Sequence, residues 1–416
     1  SLPNVGVSGS VSVVDQNTVW IAGGPVGTPV IWRTTNAGSN WISIPTTGIS
    51  FELYCIWAVD LNTAFVGNGG QAGRNSRFYK TTNSGINWTE QGSTGGGFGV
   101  FDGIVFSKTE PSFGIAVSDP PMGQGQPYYV SKTTNGGNTW TDTNPSVSFG
   151  LGVPQNTIVV INAQFYGWGT NAPPIAFIVT TDGGNTWNKR IPSIGGPFTT
   201  GIAFKDRLTG LFAGLNSFPN ISRTTDGGVT WATINTGSGV TGWCNLKWID
   251  GTNTCYLTSG DFTAGSIKKS TNGGLNWTPM TVVGPANIHH FEYKRVGTSV
   301  FAYGITAGGL VLKLNDEVVG ITPINSLIPD EYKLEQNYPN PFNPTTTINF
   351  SIPTSSKVTL TIYDALGKEI ETIVDEFKQA GNYSADFTAA STLTSGVYFY
   401  TIQAANFTDT KKINVS

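Results

Sequence analysis

One octapeptide pattern, Ser/Thr-x-Asn/Asp-x-Gly-x-x-Trp, occurs six times between residues 34 and 277. The copies run Thr34-Asn36-Gly38-Trp41, Thr81-Asn83-Gly85-Trp88, Thr133-Asn135-Gly137-Trp140, Thr180-Asp182-Gly184-Trp187, Thr224-Asp226-Gly228-Trp231 and Ser270-Asn272-Gly274-Trp277. Successive tryptophans stand 47, 52, 47, 44 and 46 residues apart, the period of one four-stranded propeller blade. A unit of that size cannot bury its apolar faces alone, so the copies must stack.

Each repeat reads as an apolar strand, a tight polar turn, a second strand, a Gly/Pro-rich loop, a third strand, the octapeptide and a short fourth strand. Residues 54–59, 63–67, 77–82 and 88–90 show the pattern, with Asp60-Leu61-Asn62 as the first turn. A seventh unit begins at residue 291, with a third strand at 310–314 but no octapeptide. The expectation is an all-β, seven-bladed β-propeller over residues 1–316. Its seventh blade lacks an outer strand, and residues 1–8 are expected to supply it, because a filled edge no longer invites aggregation. In the octapeptide, Gly permits positive φ, the Asn/Asp side chain accepts loop N–H groups, and Trp packs between blades.

These residues resemble the Asp-box, or BNR, repeat of sialidases, sortilin-type receptors, xyloglucan hydrolases and photosystem assembly factors. The resemblance covers about three quarters of the chain and implies a propeller, with Asn36, Asn83, Asn135 and Asn272 standing where Asp is usual. Families with this repeat differ in activity, so the resemblance does not choose a function.

After Asp316 the repeat stops. Residues 317–330 read as a linker and 331–416 as a small Ig-like β-sandwich, with alternating strands at 346–352, 357–363, 369–374, 382–387, 396–404 and 411–415. The segment Tyr338-Pro339-Asn340-Pro341-Phe342-Asn343-Pro344 has three prolines, each lacking a ladder donor, and cannot be an internal strand. With Gly367, Gly381, Gly396, Tyr398 and the ending Lys411-Lys412, this segment resembles the type A C-terminal sorting domain of type IX secretion substrates of the Bacteroidetes and Chlorobi lineage. The resemblance implies the type IX machinery as a partner. It also implies a location secreted from, or on the outer surface of, a Gram-negative-type bacterium.

Composition narrows the partners. Of 416 residues only 12% are charged, and the formal net charge is −3, so no positive field attracts phosphate backbones and nucleic acid is excluded. No run approaches the ~18 apolar residues of a membrane span, and Ser1 reads as a processed N-terminus. Cys244 and Cys255 flank the turn at Asp250-Gly251, which would allow a local bridge across a hairpin in an oxidising compartment, leaving Cys55 a buried thiol. No metal or cofactor is expected, since His289 and His290 are adjacent on a strand and point to opposite sides.

Glycoside hydrolysis needs two working carboxylates. Asp15, Asp60, Asp182, Asp206, Asp226 and Asp250 lie in turns and octapeptides on one face, where turn formation explains them. On the opposite, loop face the acids nearest a catalytic role are Asp119 and Asp261, almost across the ring from each other, with Arg74 and Arg77 as binding candidates. Loop solubility is the plainer reading of all four, and no catalytic residue is assigned. Arg190-Ile191-Pro192 follows an octapeptide, unlike the similar sialidase motif, and is read as chance. Among tryptophans outside the octapeptides, packing is the default, and Trp168 is the one to test for sugar stacking. The favoured function is a non-enzymatic secreted or cell-surface propeller that binds macromolecules or builds extracellular structure, including head-to-tail filaments. The alternative is a polysaccharide- or sialoside-directed hydrolase or lectin.

Overall fold

The computed structural model describes residues 2–3, 5–6, 9–25, 27–69, 75–94, 99–120, 128–145, 152–155, 157–237, 242–260, 265–280, 288–306, 309–317, 331–378, 380–389 and 393–415. All regular structure among them is strand. Contacts divide the chain into two compact units, Ser1–Val319 and Gly320–Ser416.

The first unit is a seven-bladed propeller. Six antiparallel four-stranded meanders span residues 10–44, 53–93, 101–142, 158–190, 199–235 and 243–280, and a three-stranded sheet spans 288–317. We number these blades 1 to 7. Seven hydrophobic clusters fill the seven seams, for example Trp20, Ala22 and Ile31 of blade 1 against Ile56 and Val66 of blade 2. Each octapeptide Trp joins the cluster shared with the preceding blade. Trp140 of blade 3 stands edge-on to Phe65 and Phe78 of blade 2, with centroids 5.9 and 5.0 Å apart.

The octapeptides are built alike. In the first, Thr34 Oγ1 donates to Asn36 Oδ1 (2.9 Å), Gly38 N donates to Thr34 Oγ1 (3.0 Å) and Asn40 N donates to Asn36 Oδ1 (2.8 Å). Gly38 has φ +85°, a conformation costly for residues with a Cβ. The residue before it is left-handed too: Ala37 and Ser84 take φ 58° and 63° in the first two copies, and glycine fills the position in the other four. That residue's N–H reaches the first turn of its own blade, as in Ala37 N to Asn17 O (2.9 Å) and Gly227 N to Leu208 O (2.7 Å). Octapeptides and first turns therefore share one face, the turn face. Asp15, Asp60 and Asp206 each accept two N–H groups of their own turns.

Two expectations are corrected here. The described residues of 1–8 add no strand to blade 7. Leu2 N donates one hydrogen bond to Gly309 O, and Val5, 1% exposed, packs on Tyr303 and Ile305 while its carbonyl accepts from Gly24 N. This segment plugs the seam between blades 7 and 1 because its apolar side chain finds a deeper site there than the sheet edge offers. Cys244 and Cys255 are both free and buried. Their strand register pairs Cys244 with Ser259 and Trp248 with Cys255, so they lie at opposite ends of the hairpin, too far apart for a bridge.

The second unit is a sandwich of a three-stranded and a four-stranded sheet around Phe350, Leu360, Tyr400 and Ile402. The proline-rich segment is anchored without a ladder. Phe342 is buried, Asn340 Oδ1 accepts from Asn414 N (2.9 Å), and Tyr400 Oη accepts from Asn337 N (2.8 Å). Gly367 takes φ +82° in the turn that Asp364 caps, and Tyr398 donates to Thr394 O (3.0 Å).

Candidate functional site

The turn face is held by cations. A basic side chain of one blade donates to the octapeptide carbonyls of the next: Arg33 to Ser84 O (3.2 Å), Lys80 to Gly137 O (3.0 Å), Lys132 to Gly183 O (3.2 Å), Arg190 to Gly227 O, Arg223 to Gly273 O (2.8 Å) and Lys313 to Ala37 O (3.4 Å). Blade 7 has no octapeptide, and there Lys269 meets the Asp316 carboxylate at 2.6 Å, beside Tyr256. All seven seams are thus latched. In five blades the latch is the residue directly before the octapeptide Ser/Thr, and the Arg190 once compared with a sialidase motif is the latch of blade 4.

The inner strands enclose a central cavity of about 180 Å³ lined by Ile56, Trp57, Ile104, Phe106, Phe204, Leu246 and Trp248. At the turn-face end, Lys108 of blade 3 crosses to Asp250 of blade 6 (3.3 Å) and stands 3.7 Å from the Tyr293 ring centroid of blade 7. Asp250 is therefore an ion-pair partner rather than the turn former it was expected to be. Lys247 and Glu292 pair at 2.7 Å, both largely buried. Burial raises the Glu292 carboxyl, but Lys247 and then Lys108 outweigh it and bring it down to about 2. His290, between blades 7 and 1, accepts from Val11 N (2.6 Å), and burial depresses it to about 3. It is a structural acceptor.

The loop-face end is irregular. The inner strands of blades 2, 3, 5 and 7 each carry one extra residue against their neighbour, at Tyr54, Asp102, Thr200 and His289. Such bulges re-aim side chains and recur beside functional sites. In blade 3 the bulge brings Asp102, 8% exposed, against Asp119, so that the two buried carboxyls face each other. Burial, then the Asp119 charge, pushes Asp102 well above the carboxylate range, and burial raises Asp119 as well. Two buried carboxyls side by side favour a single shared proton over two negative charges. Asp119 Oδ1 also accepts from Val153 N at 2.6 Å. Tyr54, which donates to Glu52 Oε1 (3.2 Å), is pushed up to about 12 by burial and by Glu52, Asp102 and Asp119.

The anticipated site residues therefore separate. Asp119 meets Asp102, which the sequence reading passed over. Asp261 and Arg74 lie outside the described residues. Arg77 pairs with Glu90 (3.2 Å) on the exposed outer part of blade 2. Trp168 cannot stack on a sugar, because it is 0% exposed, wedged between Tyr128 and Trp187 with centroids 5.2 and 4.9 Å away. Among the described residues the exposed tryptophan is Trp243, 37% accessible and tilted against Phe198 with centroids 4.7 Å apart. Asp102 could have been suspected from an acid beginning an otherwise apolar inner strand, Phe101-Asp102-Gly103-Ile104-Val105-Phe106. Its partner could not.

Residues 336–416 match the family described as the secretion system C-terminal sorting domain. The chain is thus a secreted or cell-surface protein exported through the type IX secretion system, and among the described residues no helix is long and apolar enough to cross a membrane. Among solved structures, an ancestral GH74 enzyme is similar over 99% of this chain and 62% of its own, at 14% identity and a TM-score of 0.55. This chain spans less than two thirds of that enzyme's length. YCF48 from Cyanidioschyzon merolae is similar over 75% of this chain and 96% of its own, at 17% identity and TM-score 0.49. A PL25 ulvan lyase is similar over 76% and 94%, at 10% identity and TM-score 0.44. At 14% identity the likeness to the GH74 enzyme speaks for the fold alone. No curated protein matches the sequence.

Proposed function

We propose that this protein is an exported, non-enzymatic propeller that binds an extracellular macromolecule through its loop face, with the six octapeptides serving as Asp-boxes that fasten the ring. The observation that carries this reading is where the charges go. Arginines and lysines latch the seams, Lys108 and Lys247 pair across or beside the channel, and Asp102 and Asp119 pair with each other. These groups hold the ring in shape. The sorting domain delivers the molecule, and residues 318–330, read from the sequence as linker, lie outside the described residues.

One observation favours the second reading, a polysaccharide hydrolase or lectin: the acid pair stands at the loop-face end of the channel. Its carboxyls stand against each other, whereas glycosidase pairs stand about 5 to 9.5 Å apart to admit a glycosidic carbon or a water. Incubating the full chain with a polysaccharide panel, alongside a glycan array, separates the readings. No release of reducing ends is expected, and release that disappears in Asp102→Asn would overturn the non-enzymatic reading. Binding on the array without hydrolysis would establish a lectin. Electron microscopy of the same concentrated material tests self-assembly, and uniformly single particles would remove the filament form of the proposal.

A further inference from the structure

The Asp102–Asp119 pair is tied to the segment that leads into blade 4. Asp119 Oδ1 receives the Val153 N–H at 2.6 Å, and Asn171 N, from blade 4, donates to Gly152 O at 3.2 Å. Gly152 lies so close that a Cβ there would come within 2.1 Å of Asp119 Oδ1. Two residues on, Gln155 Nε2 donates to Tyr54 O at 2.7 Å, linking the lead-in of blade 4 to the inner strand of blade 2 past blade 3. Gln155, Tyr54 and Asp102 all line the central cavity. The carboxyl pair, residues 152–155 and the Gln155 link form one connected chain of contacts at the channel mouth.

We propose that Asp102 and Asp119 form a proton-operated clasp that fastens residues 152–155 across the loop-face mouth of the channel and releases them when the shared proton is lost. The ionisable groups facing the pair are Tyr54 and Cys55 from blade 2 and Tyr128 from blade 3, with Glu52 one step further out beside Tyr54. All are acids, and Asn171 and Gln155 from blade 4 are uncharged, so among the described residues no cation stands by to neutralise a second negative charge. With one proton present, Asp102 donates to Asp119 and Asp119 can accept from Val153. With none, two carboxylates repel inside a site of low dielectric, and the repulsion pushes Asp119 off its place against Val153 and Gly152. The sign is definite. Asp102 is raised in the folded state, so the clasp is fully set below the ordinary aspartate range and is lost as pH rises through the folded value. This inference does not depend on what the loop face binds.

Deuterium exchange of the full-length protein at Gly152, Val153 and Gln155, corrected for intrinsic base catalysis, tests it from mildly acidic to mildly alkaline pH. In the wild type, protection is expected to fall at least about tenfold across the range. In Asp102→Asn the side-chain amide replaces the proton and donates to Asp119 permanently, so protection should persist throughout. In Asp119→Ala the Val153 acceptor is gone, and protection should be low at every pH. Identical pH profiles in wild type and Asp102→Asn would overturn the proposal, as would an Asp119→Ala protein as protected as the wild type. Should Asp102→Asn not fold, Asp119→Asn serves the same purpose, because its carbonyl still accepts from Val153 and its amide donates to Asp102.

Discussion

The two ends of the propeller channel obey different rules. At the turn face, one arrangement recurs blade after blade: an octapeptide loop stitched to its own first turn, a Trp in the preceding seam and a cation from the preceding blade on its carbonyl. At the loop face, four blades carry bulges whose residues differ, Tyr54, Asp102, Thr200 and His289, and only one bulge creates an acid pair. The repeated end is a frame that copies of one unit can build. The irregular end is where a single substitution changes the chemistry without disturbing closure.

Removing a fastener should cost stability in proportion to what it buries. Trp140→Ala, which opens the aromatic contact with Phe65, Phe78 and Phe106, is expected to destabilise the propeller by about 3 kcal/mol, read as a lower denaturant midpoint. An unchanged midpoint would mean that the seams do not carry the fold. Glu292→Gln leaves the largely buried Lys247 without its charged partner and should cost about 2 kcal/mol at neutral pH. It should also flatten part of the acid limb. Glu292 sits at about 2 in the fold, below its ordinary 4.5, so its contribution is present above the ordinary value and disappears as pH falls toward 2. His290, lowered to about 3, adds to the same limb, since it must stay neutral to accept from Val11. The acid pair predicts the reverse slope, which makes a stability profile against pH a direct comparison of the two ends. Smallest of all, Arg223→Ala removes one latch of seven and should cost about 1 kcal/mol. A loss several times larger would show that the latches act as one cooperative belt.

Much of the frame was legible because its signals are local. A hydroxyl, an amide oxygen and a glycine at fixed spacing close their loop within eight residues, so Thr34, Asn36 and Gly38 show the loop before any contact is known. The strands of the sorting domain fall within a few residues of their expected limits for the same reason, the alternation of buried and exposed positions. The latch was half visible. Arg33 and Arg223 stand directly before their octapeptides in the sequence, but their acceptors lie about 50 residues onward. Trp168 was misjudged because nearness to a loop in sequence says nothing of depth in a seam.

The sequence by itself determined how many blades there are, what closes each loop and that the molecule is exported, since each of these follows from residues close together in the chain. Only the tertiary structure decided that Asp102 meets Asp119, that Lys108 crosses the channel to Asp250, and that Val5 plugs a seam rather than extending a sheet. Those outcomes hinge on one-residue bulges and on how seven blades come around to face one another, and neither leaves a trace in local spacing.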